Sequence, residues 1–276
     1  MKTRLGLFAT VACMAATSAW SAKVEDEETS VLSKVFNDYA RTPSELGGYK
    51  AETFAFANGG PLLGHMRDKS VDDATFQQVV RLISPSFSRQ NYIAATDPDD
   101  TDLLIFVTWG ATAGYNSGGT FDGNMRSVAD WSDWDSNASQ VDDVNRQRDR
   151  GNFRSAALLG YSEALATHIN VQGMGIHGTL YEDLVADVEE GRYFVILTAF
   201  DFKTAWQSKH LVPLWSVRYN IPTRGNHFTA ALPNMSMYAS RFFGRDSGGL
   251  VRRLNPTGKV EMGDIKVLGA VEPEQK

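Results

Sequence analysis

Two apolar segments decide the fold: YFVILTAFDF at residues 193–202 and LWSVRYNI at residues 214–221. The first is almost continuously apolar and rich in the β-branched and aromatic residues that favour strands. The second alternates between large apolar and polar side chains, as a strand with one covered face does. The link between them, residues 203–213, is too short for a crossover that contains a full helix. The two strands should therefore pair antiparallel.

Two further strands are predicted upstream of this pair. Residues 49–57 alternate between the two faces of a strand, and the turn-forming sequence NGGP at residues 58–61 should end it. The run LLIFV at residues 103–107 is short and continuously apolar, which is typical of a buried central strand. We expect the core to bury the following side chains: Leu104, Phe106, Ile196, Leu197 and Trp215.

Four helices are predicted from apolar side chains that recur at helical spacing. Pro85 should kink or split the first of them. The third begins at Thr179, where a capping-box pattern marks a helix start. The four helices cover about residues 72–87, 153–169, 179–190 and 226–243.

The predicted order is β-α-β, an insertion at about residues 113–152, and then α-α-β-β-α. Because helices and strands do not alternate strictly, this order favours an α+β fold, in which helices pack on one face of a mostly antiparallel sheet. Residues 49–270 should form this single domain, and residues 22–48 an acidic lead-in with a short helix. Residues 260–267 are predicted as a last edge strand.

The chain begins with the pattern of a cleavable signal peptide, predicted over residues 1–21. Two basic residues, Lys2 and Arg4, precede an apolar run at residues 5–16. This run is too short to cross a bilayer, which needs about 20 residues. The small-x-small pattern at residues 19–21 marks the cleavage site. We therefore expect export to the periplasm or the medium, with a retained N-terminal anchor helix as the alternative.

The single cysteine, Cys13, lies within this segment. It raises the alternative of a lipid anchor, but Thr10 stands where a lipid-attachment site has leucine. A mature chain without Cys13 has no thiol, which excludes disulfides, thiolate catalysis and cysteine-rich zinc sites.

The charge of the mature chain is strongly negative. Without Lys2 and Arg4, the 27 Lys and Arg of the full chain fall to 25 against 33 Asp and Glu, a net charge of −8. An acidic protein without a basic stripe is a poor candidate for nucleic acid, so no nucleic-acid partner is expected. No later run reaches 18 apolar residues, so no membrane span is expected after cleavage.

These segments resemble a group of exported bacterial envelope proteins, often lipoproteins, that have a single domain of unknown function. The shared features are a Tyr-x-x-x-x-Phe pattern from Tyr49 to Phe54, an Asp-Leu-Leu-aliphatic strand at residues 102–107 and a Leu-Trp-Ser-x-Arg strand at residues 214–218. The resemblance would extend over residues 49–112 and 179–245. It implies an envelope location and a binding or scaffolding role, and it implies no catalytic residues.

The insertion holds the best candidates for ligand contact. It is rich in Gly, Asn, Ser and Asp and contains Tyr115, Trp131 and Trp134. Aromatic rings among such polar residues can stack on sugars or bind an extended peptide. The alternative is that the two tryptophans fold back as anchors of a long loop. The expected partner is an envelope macromolecule, either protein or glycan.

A second cluster gathers four carboxylates, Asp97, Asp99, Asp100 and Asp102. Ca²⁺ prefers oxygen ligands of this kind, but a calcium loop normally also needs a glycine turn and a distal bidentate acid. Neither is evident, so a solvated turn before a buried strand is the favoured interpretation. We expect no metal and no cofactor.

No catalytic constellation is recognisable in the sequence. Asp-Ser-Gly-Gly at residues 246–249 resembles the surroundings of a serine-protease nucleophile, but it follows an amphipathic helix that its glycines can cap. The favoured hypothesis is a non-catalytic binding or scaffolding module. The alternative is a hydrolase that acts on an envelope polymer with paired carboxylates from residues 97–102 and 130–143.

Overall fold

Seven strands form one sheet in the part of the chain that the structure describes. This computed structural model describes residues 27–45, 47–62, 68–113, 150–169 and 179–255, all of which lie in the unit Asp26–Pro256. The strands are β1 (Glu27–Val35), β2 (Glu52–Leu62), β3 (Tyr92–Ala94), β4 (Leu103–Ala111), β5 (Arg192–Asp201), β6 (Pro213–Pro222) and β7 (Val251–Asn255). Their order across the sheet is β3-β2-β4-β5-β6-β1-β7.

Most neighbouring strands pair antiparallel. β5 pairs antiparallel with β6, as the short link between them predicted, and also with β4. β1 pairs antiparallel with both β6 and β7. β2 pairs parallel with β3 and β4. The predicted fold class, α+β with a largely antiparallel sheet, is therefore confirmed.

Seven α-helices accompany the sheet within the described residues. They are α1 (Lys69–Asp72), α2 (Phe76–Ser88), α3 (residues 150–159), α4 (Ser162–Ile169), α5 (Thr179–Glu189), α6 (Phe202–Ser208) and α7 (Phe228–Ala239). The helices predicted near residues 72–87, 179–190 and 226–243 correspond to α2, α5 and α7. Pro85 lies inside α2, which continues to Ser88 and is not split.

Gly160 divides the helix predicted over residues 153–169 into α3 and α4. Its φ of 88° lies in the left-handed region, which glycine adopts without strain. A Cβ at this position would also lie only 2.8 Å from the Leu32 Cβ. The apolar spacing continues across the break, because Tyr161 and Leu165 still contact the same apolar cluster. Spacing alone therefore missed the break.

The region before residue 49 differs from the prediction. Residues 27–35 form β1, a strand between β6 and β7, and not an acidic lead-in with a short helix. Glu28 is not simply solvated, since its carboxylate pairs with Arg252 at 2.5 Å. The domain therefore begins at β1.

The predicted end of the 49–57 strand is also corrected. β2 continues through the NGGP sequence to Leu62. Its pairing with β4 shifts register at a bulge between Asn58 and Gly60 and then resumes. The edge strand predicted at residues 260–267 lies outside the described residues.

Helices pack on both faces of the sheet, whereas the sequence predicted one helical face. On the face that we call the first face, Tyr193, Val195 and Leu197 of β5 join the core beneath α1, α2 and α7. On the opposite, second face, Phe194 and Ile196 pack with α3, α4 and α5. The almost continuously apolar sequence of β5 is consistent with a strand that meets helices on both sides.

Candidate functional site

The second face of the sheet is covered only in part, which divides it into two halves. The closed half lies against α3, α4 and α5 and consists of the buried residues Ser30, Gly110, Arg192, Phe194 and Asn220. The open half consists of half-buried residues on four strands: Ala55, Ala57, Leu104, Phe106, Thr108, Ile196, Thr198, Phe200 and Arg218. The two halves adjoin, because Phe194 and Ile196 are successive second-face positions on β5.

In the closed half, every nitrogen of the Arg192 guanidinium has an acceptor. Nε donates to the Asn220 side-chain oxygen at 2.6 Å. One terminal nitrogen donates to Asp187 at 3.4 Å, and the other donates to the Glu28 carbonyl at 3.1 Å. Arg192 is fully buried, so these partners replace the water that the cation loses on folding.

The same network includes Tyr161 and Arg252. The Tyr161 hydroxyl lies 2.8 Å from Ser30 Oγ and 3.1 Å from Asp187 Oδ2. Arg252 lies 2.9 Å from the same Asp187 oxygen. Burial is the largest influence on the pKa of Asp187 and raises it, while the positive charges of Arg192 and Arg252 act in the opposite direction. Its contacts with Arg192 and Arg252 connect Asp187 of α5 to the sheet, so the role of this carboxylate is structural.

In the open half, apolar side chains from β2, β4 and β5 lie side by side. The strand register pairs Ala55 with Leu104 and Leu104 with Phe200. The rings of Phe106 and Phe200 meet edge to face, with centroids 5.4 Å apart. These side chains form one apolar strip across three strands. These side chains are only half-buried, so part of the strip remains accessible.

The open half corrects the sequence-based expectation for the core. Leu197 and Trp215, both on the first face, are fully buried as predicted. Leu104, Phe106 and Ile196 are only half-buried, because they lie on the second face where the apolar cluster beneath α3, α4 and α5 reaches Ile196 but does not include Leu104 or Phe106.

Arg218 lies at the border between the strip and the closed half. The register places it beside Ile196 on β5 and Leu32 on β1. Its Nε is buried and has no hydrogen-bond partner, and it makes no ion pair with any residue that the structure describes. Burial lowers the pKa of Arg218, and no neighbouring carboxylate opposes that effect. The side chain is thus a half-buried cation that has no counter-charge among the described residues.

A separate groove of about 500 Å³ lies between α3, α4 and α5. Its walls are mainly apolar and include Ala156, Leu165, Val185 and Val188. Phe153 borders the groove with 73% of its surface exposed.

The structure places the sequence-predicted site residues as follows. Tyr115, Trp131 and Trp134 lie outside the described residues. The four clustered carboxylates lie before β4, where two of them have structural partners: Asp97 accepts from the backbone N–H of Asp99 at 2.9 Å. Asp102 accepts from the backbone N–H of Thr53, also at 2.9 Å. Within the described ranges, no group of three or more His, Cys, Asp or Glu side chains could hold a metal ion.

The Asp-Ser-Gly-Gly sequence forms a bend, but its glycines do not cap α7 as predicted, because that helix ends at Ala239 with Ser240 as its C-cap. The Ser247 hydroxyl accepts from the Ser33 backbone N–H at 2.9 Å and lies 2.6 Å from the Gly249 carbonyl. These contacts anchor the bend to β1. Gly248 and Gly249 both have positive φ.

Comparison with known proteins places the chain in no family. No family and no curated protein matches the sequence. Among solved structures, the chain is similar to a PDZ domain protein from Parabacteroides distasonis, with a TM-score of 0.37 and 10% identity over 83% of this chain and 39% of that one. It is also similar to a PelC dodecamer from Paraburkholderia phytofirmans, with a TM-score of 0.27 and 5% identity over 76% of this chain and 95% of that one. The chain thus spans about two fifths of the first structure.

None of the helices in the described ranges is long and apolar enough to cross a membrane.

The sequence analysis did not predict the open half, although the continuously apolar LLIFV run places apolar side chains on both faces of β4. The LLIFV run was predicted to be a buried central strand; it is a central strand, but Leu104 and Phe106 on its second face are only half-buried. It could not be known from β4 alone that the helices cover only part of the second face. Arg218 was assigned to the polar side of its strand, but a sequence does not reveal whether a cation has a partner.

Proposed function

We infer that the protein is an exported, non-catalytic binding module that docks a segment of a partner protein on the open half of its sheet. One observation carries this proposal: Leu104, Phe106, Ile196 and Phe200 form a contiguous apolar surface that is only half-buried in this structure. Contiguous apolar surface of this kind marks contact sites more often than isolated exposed residues do.

A protein segment fits the open half better than a glycan does. Glycan sites need several hydrogen-bonding groups beside an aromatic platform. The strip offers mainly aliphatic and phenyl groups, and the hydroxyl of the neighbouring Thr198 already faces the buried Ser216 hydroxyl of β6 at 3.2 Å. Two phenyl rings beside aliphatic side chains are a typical anchor surface for apolar side chains of a partner.

The hydrolase alternative depends on carboxylates at residues 97–102 and 130–143. In the first cluster, Asp97 and Asp102 are engaged by backbone groups. The second cluster lies outside the described residues, so this alternative remains a prediction.

Site-specific photo-crosslinking in living cells tests the docking surface. Benzoylphenylalanine placed at Thr198, within the open half, should give a crosslink to one discrete protein. The matched control places it at Trp206, an aromatic residue on α6 that is 59% exposed and lies outside the open half. Phe106→Ser should abolish the crosslink from Thr198. Equal crosslinking from both positions, or a crosslink that survives Phe106→Ser, would contradict the proposed surface.

Export is supported by the N-terminal pattern and is tested separately. The mature N-terminus should lie between Trp20 and Lys23, and intact-mass measurement of the exported protein would establish it. A diacylglyceryl adduct on Cys13 would replace this proposal with lipid anchoring.

A further inference from the structure

We propose that the partner segment presents a carboxylate, from Asp or Glu, to Arg218, with apolar side chains on either side of that acid. This inference rests on the proposed docking function and names the chemistry of the partner. The segment would lay its apolar side chains along the Phe106–Phe200 strip and place its acid at the border with the closed half.

The charge environment of Arg218 supports this assignment. A desolvated cation without a counter-charge is costly, because water is removed and nothing replaces it. Other charged side chains on this face have partners: Lys34 of β1 pairs with Glu163, and Arg192 has three acceptors. Arg218 alone of these three makes no ion pair within the described ranges. An arriving carboxylate would supply the missing partner.

The neighbours of Arg218 determine which side chains can flank the acid in the partner segment. Ile196 and Leu32 flank it in the strand register, and Thr198 and Ser216 in the next row contact each other. A carboxylate that pairs here must therefore enter between apolar side chains. Arginine offers several N–H donors in a planar fork, which suits a carboxylate better than a single acceptor.

A random twelve-residue peptide library displayed on phage is a suitable probe, selected against the full mature chain. Counter-selection against the Phe106→Ser variant would keep only peptides that bind the open half. These peptides should contain one acid flanked by apolar residues. Replacing that acid by its amide should weaken binding about tenfold or more, as should Arg218→Gln in the protein. The two changes together should cost little more than either alone, since both remove the same pair.

Arg218→Lys and Arg218→Glu are the matched controls. Lysine keeps the charge and should keep part of the affinity, whereas glutamate should reject the selected peptides. Peptides that lack an acid, or that bind Arg218→Gln within twofold of the parent, would overturn the carboxylate inference while leaving the docking surface in place. A selection that yields no Phe106-dependent peptide would overturn both.

Two other occupants are distinguished by the same assay. A chain in which a short Gly/Ser linker replaces residues 114–149 would reveal occupancy by the protein's own segment, if it gained Arg218-dependent peptide binding that the parent lacks. A dansyl-labelled long-chain fatty acid that binds in an Arg218-dependent manner, in the absence of peptide binding, would indicate a lipid ligand. Either result would overturn the proposal.

Discussion

Two arginines on neighbouring strands of the same sheet face have opposite environments. Arg192, in the closed half, is fully buried and has an acceptor for each guanidinium nitrogen. Arg218, in the open half, is half-buried and has no such partner among the described residues. The buried cation of the closed half therefore has all its acceptors within this chain. The open half, in contrast, has apolar surface and a cation to which a second molecule could supply a counter-charge. The difference suggests stability for one half and binding for the other.

The largest expected effect comes from breaking the closed half. Arg192→Met should lower the free energy of unfolding by about 3–5 kcal/mol, because it removes the donor from the buried Asn220 side-chain oxygen and from the Glu28 carbonyl, and leaves Asp187 with only Tyr161 and Arg252. Urea unfolding followed by tryptophan fluorescence would measure the loss. A loss below about 1 kcal/mol would show that the network is not structural.

A second prediction compares the two faces through leucines of the two neighbouring strands β4 and β5. Leu197→Ala, on the first face, should cost about 2–5 kcal/mol, because a fully buried side chain is removed. Leu104→Ala, in the open half, should cost less, by about 1 kcal/mol or more, since its side chain is only half-buried and its removal leaves a smaller cavity. The same unfolding assay decides between them. Equal losses at both positions would mean that the second face is covered throughout.

Much of the fold could be predicted from the sequence, because its signals are local. The β5–β6 pair followed from its apolar pattern and the short link, and the start of α5 followed from the capping-box pattern at Thr179. β1 was missed because its acidic start looked solvated, and the partner of Glu28 is Arg252, more than 200 residues away. The break at Gly160 was missed for a similar reason, since contact with Leu32 requires the sheet to be formed.

The candidate site was harder to predict than the fold. Whether Leu104 is covered depends on where α3 and α4 end over the sheet, and residue spacing within β4 carries no such information. The same holds for Arg218, whose lack of a partner is a property of the assembled face. Tyr115, Trp131 and Trp134 remain predicted ligand contacts that the described residues do not test.

The third prediction concerns residues 116–148. A chain in which a short Gly/Ser linker replaces them should unfold cooperatively within about 1 kcal/mol of the parent. Loop-closure cost changes slowly with length, and this segment has few aliphatic residues to contribute to a core. Trp131→Ala combined with Trp134→Ala is the point-mutant control and should also stay within about 1 kcal/mol. A loss of several kcal/mol in the double mutant would mean that the tryptophans are core anchors.

The smallest expected effect separates binding from stability in the open half. Arg218→Met should leave the free energy of unfolding unchanged or raise it by up to about 1 kcal/mol, because an apolar side chain of similar length avoids the desolvation of an unpaired cation. The substitution is chemically the same as Arg192→Met, which makes the pair a direct test of the two environments. Arg218→Lys retains the charge and should give no such gain. If Arg218→Met instead lost more than about 1 kcal/mol, Arg218 would contribute to the fold of the free protein, and the contrast between the two halves would no longer hold.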